Sequence, residues 1–439
     1  MPFESSRRIA VIGAGLAGAA VCACFAARGW QVTLIDAHPA PAQGASGNHA
    51  ASFHPLIARD HNRMVRLIRA GIETSLAHWR ALDKGGYPFS WAQCGALQLS
   101  RAGAKQDVAQ VLAGLDVDLA FARAVDQREA SAIAGVALRG GGVLFGQGGW
   151  VQPVSLIAAQ LASCGTRLTT HYGRQVARAV RAAAPANAST NTTAEVHAVG
   201  EWKLFDASGE LIAHAPVVVL ASGADVLLAG LFGQHEWPVE AIAGQVSLVS
   251  AGSASGVAGS AGSADAGAAD AGNAWPAPKL PVHGEGYVLP CIDGQIVTGA
   301  TYDRHGTQTV AAGHRHNFAQ AARMVAAPLP LPLPPERLSA RVSMRAVARD
   351  RLPVIGALPD AAATDAKAVL RAGARLAHLP RLPGVYAATA YGSRGLTWAA
   401  LGAEVLLAMV EGTPSPLEPD LIDAIDPGRF ALRAVKRAS

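Results

Sequence analysis

The sequence predicts an α/β fold in which a parallel, nucleotide-type sheet is assembled from distant parts of the chain and a second, sheet-rich α+β unit is inserted between them. Three observations predict it. Residues 8–36, RIAVIGAGLAGAAVCACFAARGWQVTLID, read as strand, glycine turn, helix, strand and terminal acid. APVVVLASGAD (215–225) is a further buried strand running into a small-residue turn. GVYAATAYGSRGLTWAALGAEVLLAMV (384–410) returns to strand, glycine turn and helix. Aromatic, glycine-rich and proline-rich segments of different character separate the three, the pattern of a discontinuous domain with insertions.

In the first unit, Ile9, Val11 and Ile12 form a short apolar strand, and Gly13, Gly15 and Gly18 stand in G-x-G-x-x-G register. Gly13 permits the tight turn, Gly15 lets backbone approach a pyrophosphate, and Gly18 lets the helix pack on the strand. Ala14, Leu16 and Ala17 complete the turn and the start of the helix, whose positive end faces the phosphates. Val32–Ile35 make the second strand, and Asp36, followed by Ala37, ends it where a carboxylate accepts hydrogen bonds from a ribose. This combination marks a Rossmann-like dinucleotide site. Arg7 and Arg8 ahead of an apolar run also suit a secretory signal, but phosphate-loop glycines inside the run and a strand with an acid directly after it favour the dinucleotide reading. Cys22 and Cys24, at i and i+2 of the helix, lie on different faces and suit packing better than a metal.

The chain has 439 residues, room for two or three domains. No apolar run reaches membrane-spanning length without a glycine or a charge, so no membrane association is expected. Five cysteines, odd in number and without CxxC spacing, argue against a disulfide framework and a structural zinc site, and make a cytoplasmic location the default. Only six of the 37 basic residues are lysine and the net charge is +5, so composition by itself does not point to nucleic acid. HGEG, HRHN and DHN lack ligand spacing on a common face, and no metal is expected.

The predicted nucleotide domain covers 1–85, 148–240 and 340–439, and the second domain 86–147 and 241–339, with the ligand in the cleft between them. An amphipathic helix is expected over Met64–Leu82, a strand pair within 87–100, a glycine- and aromatic-rich segment over 140–153, a helix after Pro153, and short strands near 167–170 and 175–180. AAAPANASTNTTAE (182–195) reads as a polar hairpin tip, and APLPLPLPP (327–335) as a stiff connector. Residues 250–278 are low in complexity and almost free of bulky apolar side chains, so a disordered surface insertion is expected.

In order, GxGxxG, SGxxAxxxxP (46–55), GGWxxP (148–153), RxxxRDxLPxIG (345–356) and YGSRGLTWAxLxAE (391–404) resemble the D-amino-acid oxidase-like (DAO) family of FAD enzymes, which includes glycine oxidases. ASGNHAASFHPLIARDHN (45–62), GQVSLV (244–249), GYVLP…VTGATYD (286–303), RAVARDRLPVIGALPD (345–360), GSRGLTWAALGAE (392–404) and DPGRFALR (426–433) narrow the resemblance. They look like the FAD-dependent C-terminal half of the bifunctional tRNA 5-methylaminomethyl-2-thiouridine biosynthesis (MnmC) proteins. That resemblance implies FAD-dependent oxidation of the carboxymethylaminomethyl group on the wobble uridine of tRNA, releasing glyoxylate. The sequence reaches its glycine turn by Gly13 and shows no methyltransferase half, so either a separate methyltransferase acts on the product or the chain is a fragment; Met1 favours the stand-alone reading.

The resemblance also implies roles for residues. Arg345 matches the position that holds a substrate carboxylate, Arg394 is the second candidate, and Tyr287 orients substrate from the second domain. The corresponding structural alternatives are an interdomain ion pair, a flavin or capping contact, and a buried sheet tyrosine. Gly356 and the run Gly392, Ser393, Arg394, Gly395 and Leu396 bring backbone against the isoalloxazine, with the last helix directing its N-terminal amides at the flavin. Ser46, Gly47 and Asn48 line the pyrophosphate or ribityl chain, Gly223 closes the nucleotide site, and Val176 and Ala177 lie against the adenine. His49 sits where some dehydrogenases of the wider family attach flavin covalently, but Asn48 precedes it, and noncovalent FAD is expected. Arg349 and Asp350 are expected to pair structurally. Arginines 59, 63, 66 and 69 recur at helical spacing and fit either phosphate contacts or a solvated helix face. Two other functions suit the same residues: an oxidase or dehydrogenase of a free small amino acid (glycine, sarcosine or a D-amino acid), and a noncatalytic flavin-binding protein.

Overall fold

The computed structural model describes residues 7–100, 112, 118–182, 200–233, 237–251, 275–327, 329 and 333–437. Its central sheet has six strands in the order Val354–Pro359, Arg381–Thr389, Val217–Leu220, β1 (Arg8–Ile12), β2 (Gln31–Asp36) and Leu168–Tyr172. All neighbours run parallel except the first pair. Along β1, Ile9 and Val11 face one core while Ala10 and Ile12 face another, as a strand covered on both sides requires.

The first of those faces carries α1 (Leu16–Ala27) and the helices Arg63–Lys84, Pro153–Ser163 and Gly395–Glu411. α1 is apolar all round, and every residue from Leu16 to Ala26 is buried, Cys22 and Cys24 among them. Helix Arg63–Lys84 is amphipathic as expected: Leu67, Ile68, Ile72, Leu76 and Trp79 form its buried stripe, and Asn62 caps it by accepting from the Val65 N–H at 3.2 Å. The opposite face is covered by the antiparallel strands Arg178–Arg181, Trp202–Phe205 and Leu211–Ala215, whose Trp202, Leu204 and Ile212 pack on Ile12, Val218 and Val385.

A second sheet has eight strands, in the order Leu338–Ala348, Val239–Ser250, Gln295–Gly299, Tyr287–Ile292, Val282–His283, Ala96–Leu99, Gly142–Phe145 and Ala122–Val125. Helices Gln127–Ala134 and Val310–Met324 cover one face through Ala130, Phe318, Ala321 and Met324. Tyr287, Leu289 and Ile292 alternate with Val288 onto the other face.

The expected strand pair within 87–100 is not a pair. Trp91–Ala92 joins Gly149–Val151 and Ala51–Phe53 in a small third sheet, whereas Ala96–Leu99 joins Gly142–Phe145 in the second sheet. Gly95, at φ +85° and donating its N–H to the Gly148 carbonyl at 2.9 Å, redirects the chain between the two sheets. The expected domain boundary at 340 falls inside Leu338–Ala348, which pairs with Val239–Ser250 along its whole length and so belongs to the second sheet. The low-complexity segment, apart from 250, 251 and 275–278, and most of the polar hairpin tip lie outside the described residues, as do 328 and 330–332 of the proline-rich connector. Among the described residues, no helix is long and apolar enough to cross a membrane and no group of His, Cys, Asp or Glu could hold a metal; all five cysteines are free.

Two motifs far apart in sequence lock together. Asp350, of RDRLPVIG, receives two hydrogen bonds from Arg429, of DPGRF, at 2.9 and 3.0 Å, and one from Arg433 at 2.9 Å. Arg429, 4% exposed, spends its other N–H groups on the carbonyls of Ile425, Asp426 and Leu352. Asp350→Ala leaves that guanidinium buried without a counter-charge. The expected loss is about 3–5 kcal/mol of unfolding free energy, read from the urea midpoint; an unchanged midpoint contradicts it.

Candidate active site

A cavity of about 760 Å³ opens at the carboxyl ends of β1, β2, Val217–Leu220 and Arg381–Thr389, where parallel sheets bind ligands, and the second sheet closes its far side. Gly13, Gly15, Leu16 and Ala17 form one part of its wall, Asp36 and Ala37 another, and Ser46 and Asn48 a third. Gly223 also lines the cavity, and Gly392, Ser393, Arg394, Gly395 and Leu396 follow from the last strand into helix Gly395–Glu411. Arg345 and Tyr287 enter from the second sheet.

Five expected residues do not reach the wall, one of them Ala177. Ala14 lies just behind it, donating its N–H to Asp36 Oδ2 at 2.6 Å. Gly18 is a packing glycine, since a Cβ there would strike the Gly13 carbonyl. Gly47 is squeezed between the Ala42 carbonyl and the Arg341 guanidinium. Gly356 corrects the expectation of a close approach to the flavin: it lies on the sheet's edge strand at φ +137°, where a Cβ would meet Pro427 and Met409.

At the β1 end, Gly13 takes φ +114° beneath the Ala221 carbonyl, a space no Cβ can share. Gly15 provides no side-chain cap to α1, and Ser46 Oγ accepts from the Leu16 N–H at 3.0 Å, so the next amides of the helix are left for an anion. Asp36 also accepts from the backbone and ring N–H of His38, at 2.8 and 3.0 Å, which orients its carboxylate. The start of helix Gly395–Glu411 supplies a second positive helix end on the same cavity. These features fit a dinucleotide of FAD's kind: a pyrophosphate cradle, a ribose acceptor and a second helix terminus for a flavin carbonyl. Val176 is on the wall, whereas the Ala177 N–H is spent on Phe205. His49 is off the wall and gives its Nε2–H to the Ile292 carbonyl at 2.8 Å.

The other end is cationic. Arg345, 8% exposed, donates Nη1–H to the Thr301 carbonyl at 3.0 Å and stacks on Tyr302 with its guanidinium carbon 4.5 Å from the ring centre. Among the described residues no carboxylate forms an ion pair with Arg345 or Arg394. Burial, and more weakly the charge of Arg351, push the pKa of Arg394 below the ordinary arginine value, against the phenol of Tyr302. Burial pushes the Tyr287 phenol up to about 12, so it stays protonated. Two poorly solvated cations facing one cavity without an anion are suited to an anionic ligand.

Sequence reasoning missed Tyr302 and the histidines His54 and His283. The two imidazoles meet with centroids 4.4 Å apart on the cavity wall, 229 residues apart in sequence, with Phe145 stacked on His54 at 5.5 Å. No spacing rule links them; only the meeting of the second and third sheets does. The helix arginines, for which the sequence leaves phosphate contacts and a solvated face both open, have carboxylate neighbours. Arg66 binds Asp420 at 2.8 and 3.0 Å and also Glu418, Arg63 lies 3.6 Å from Asp420, and Arg69 pairs with Glu73 at 3.0 Å. The acidic start of helix Pro419–Ile425 lies beside this face and supplies the partners of Arg63 and Arg66. Arg59 precedes the helix and is exposed.

Burial is the main cause that lowers the pKa of His54 and of His283 below the ordinary value of 6.5; the nearby Arg394 adds to it at the first and His54 at the second, while the bond to Pro55 opposes it at His54. The folded state therefore binds fewer protons than the unfolded chain, and the stability present above pH 6.5 is lost as pH falls toward the depressed folded values. The double variant His54→Asn, His283→Asn is expected to show a shallower fall in unfolding free energy between about pH 6.5 and 5 than the parent chain; equal slopes in urea titrations contradict this.

The FAD dependent oxidoreductase (DAO) family matches residues 8–409. The chain is 41% identical over 438 residues to the tRNA 5-methylaminomethyl-2-thiouridine biosynthesis bifunctional protein MnmC of Burkholderia mallei (strain SAVP1), and 41% identical to that of Burkholderia pseudomallei (strain 1106a). Each match covers 99% of this chain, and the chain spans 61% of the length of these relatives. Among solved structures, its fold is similar to glycine oxidase from Geobacillus kaustophilus (TM-score 0.67, 17% identity, 97% of this chain and 99% of that one). It is also similar to iminodiacetate oxidase from Chelativorans sp. BNC1 (TM-score 0.68, 18% identity, 96% and 99%). A glycine fingerprint on α1, an acid ending β2 and a cationic cavity beneath a second sheet thus sit in a chain that belongs to the FAD-dependent oxidoreductases of the DAO family.

Proposed function

We propose that this enzyme oxidises the carboxymethylaminomethyl group of 5-carboxymethylaminomethyl-(2-thio)uridine at the wobble position of tRNA. The products are the 5-aminomethyl nucleoside and glyoxylate. The observation that carries this reading is Arg345, a buried guanidinium on the cavity wall with no carboxylate partner among the described residues. The names of the relatives, which print tRNA 5-methylaminomethyl-2-thiouridine biosynthesis, support a modified uridine of tRNA as the substrate.

FAD, when bound, accepts the hydride from the carbon between the substrate's amine and carboxylate. The carbon–nitrogen bond of the substrate becomes an imine, water adds to it, and the bond breaks to leave the amine on the nucleoside and an aldehyde on the departing two-carbon acid. The protein's part is to hold and to shield. The N–H groups of Arg345 not given to Thr301 grip the carboxylate, and Arg394 adds a second positive charge. Tyr287, kept protonated, donates to the same end of the substrate. His54 gives its Nδ1–H to the Pro55 carbonyl at 2.7 Å, which leaves the Nε2 lone pair of a neutral ring for the proton of the amine.

FAD is held noncovalently in this reading, because His49 is turned away from the cavity. The substrate places the enzyme in the cytoplasm, and its product, a primary amine, is the nucleophile that a methyltransferase consumes.

Anaerobic mixing tests the proposal. tRNA rich in the carboxymethylaminomethyl nucleoside is expected to bleach the flavin and release glyoxylate, while glycine, sarcosine and D-alanine do not. Bleaching by a free amino acid with tRNA inert overturns it in favour of an amino-acid oxidase. Arg345→Ala is expected to lower kcat/KM for tRNA by about 2–5 kcal/mol in free-energy terms, the cost of truncating one partner of a buried charge pair.

A further inference from the structure

Tyr302 is unusual in being both exposed and rigidly held. Its side chain is 59% exposed although it lines the cavity, and the exposed Val342 (53%) and Met344 (47%) stand beside it on the same wall. Large apolar groups gathered in the open on one wall mark a binding surface more often than a packing accident. The backbone on either side of the tyrosine is fixed. Thr301 is buried, donates its N–H to the Gln245 carbonyl at 3.1 Å, and accepts from the Gln245 N–H through Oγ1 at 2.9 Å. Asp303 exchanges two backbone hydrogen bonds with Ala243, at 2.9 and 3.0 Å, and its carboxylate accepts from the N–H groups of His305 and Gln308. Ala243 in turn pairs with Met344, and Gln245 with Val342, so the segment that carries the aromatic ring and the strand that carries the apolar rim are both bonded to the one strand Val239–Ser250.

One face of the Tyr302 ring is taken by the Arg345 guanidinium, 4.5 Å from its centre. The residue is otherwise well exposed and lies on the cavity wall. A rigid aromatic platform loses little entropy on binding, and any base can stack on it, because every base has a π-face. The ligand chemistry that suits this pair is a planar ring joined by a short arm to a carboxylate: ring on Tyr302, carboxylate on Arg345 beneath.

We propose that Tyr302 is the stacking platform for the pyrimidine of the substrate nucleoside, with Val342 and Met344 as its apolar rim, and that this contact separates a nucleoside-borne substrate from a free amino acid. This inference rests on the wobble-uridine reading and deepens it. Tyr302 acts on recognition and not on the hydride transfer, so its removal moves binding and leaves the limiting rate.

The test uses the FAD-loaded full chain, with 5-carboxymethylaminomethyluridine as nucleoside and N-ethylglycine as a probe that carries the amine and carboxylate but no base. In stopped-flow flavin reduction, Tyr302→Ala is expected to raise the half-saturating nucleoside concentration about ten-fold or more, the scale of one lost stacking contact, with the limiting rate within about three-fold. Tyr302→Phe keeps the parent's values. The binding constant of N-ethylglycine, read from its competition with the nucleoside, is expected not to move. If Tyr302→Ala weakens N-ethylglycine as much as the nucleoside, the ring merely props Arg345 and the platform is refuted. An unchanged nucleoside response in Tyr302→Ala, with normal reduction of the parent enzyme, refutes the platform alone. A parent enzyme whose flavin stays oxidised with both the nucleoside and the modified tRNA overturns the wobble-uridine reading, and the platform with it.

Discussion

The structure depends on a close passage of backbones at the carboxyl end of β1. Gly13 lies under the Ala221 carbonyl, and Gly18 presses on the Gly13 carbonyl, with no room for a Cβ at either position. That passage lets Val217–Leu220 sit directly beside β1 and places the first turn of α1 at the carboxyl end of the sheet. Much follows from it. Asp36 can reach the Ala14 N–H, Ser46 can reach the Leu16 N–H, and α1 is pressed into a layer with helix Gly395–Glu411. A β-carbon at either glycine would push apart the elements that shape the phosphate end of the cavity.

The two ends of the cavity are joined by one strand. Leu338–Ala348 belongs to the second sheet, yet Arg341 donates Nη2–H to the carbonyls of Ala42, Gln43 and Gly44, at 3.3, 3.0 and 2.8 Å, in the loop behind Ser46. Four residues on, Arg345 reaches into the cationic end. Within one strand, one arginine is spent on backbone carbonyls and holds the cofactor loop, and the other keeps much of its donor capacity for a ligand. The difference lies in what the fold places within reach, since the residue type is the same.

Much of the fold was legible because it rests on local rules. The glycine triplet, the alternating burial of β1 and the amphipathic stripe of helix Arg63–Lys84 are consequences of backbone sterics and of periods of two and 3.6 residues. The strands near 87–100 were legible as strands but not in their partners. Nothing within Trp91–Leu99 says that its halves join different sheets; that depends on where 142–151 passes. Gly356 shows the same limit, because a glycine that serves a fold and one that serves a ligand look alike until their neighbours are known.

What the sequence by itself determined is the nucleotide end of the site: the turn, the helix start and the acid occur within one short stretch, so their geometry is set by local bonding. What only the tertiary structure decided is the substrate end. Arg345, Arg394, His54, His283 and Tyr302 come from separate segments of the chain, and each residue type has many ordinary uses. Whether an arginine is free for a ligand depends on whether the fold brings a carboxylate to it. It does so for Arg66 and Arg429 and, among the described residues, not for Arg345. Burial, exposure and charge partnership are properties of long-range packing, and no spacing along the chain encodes them.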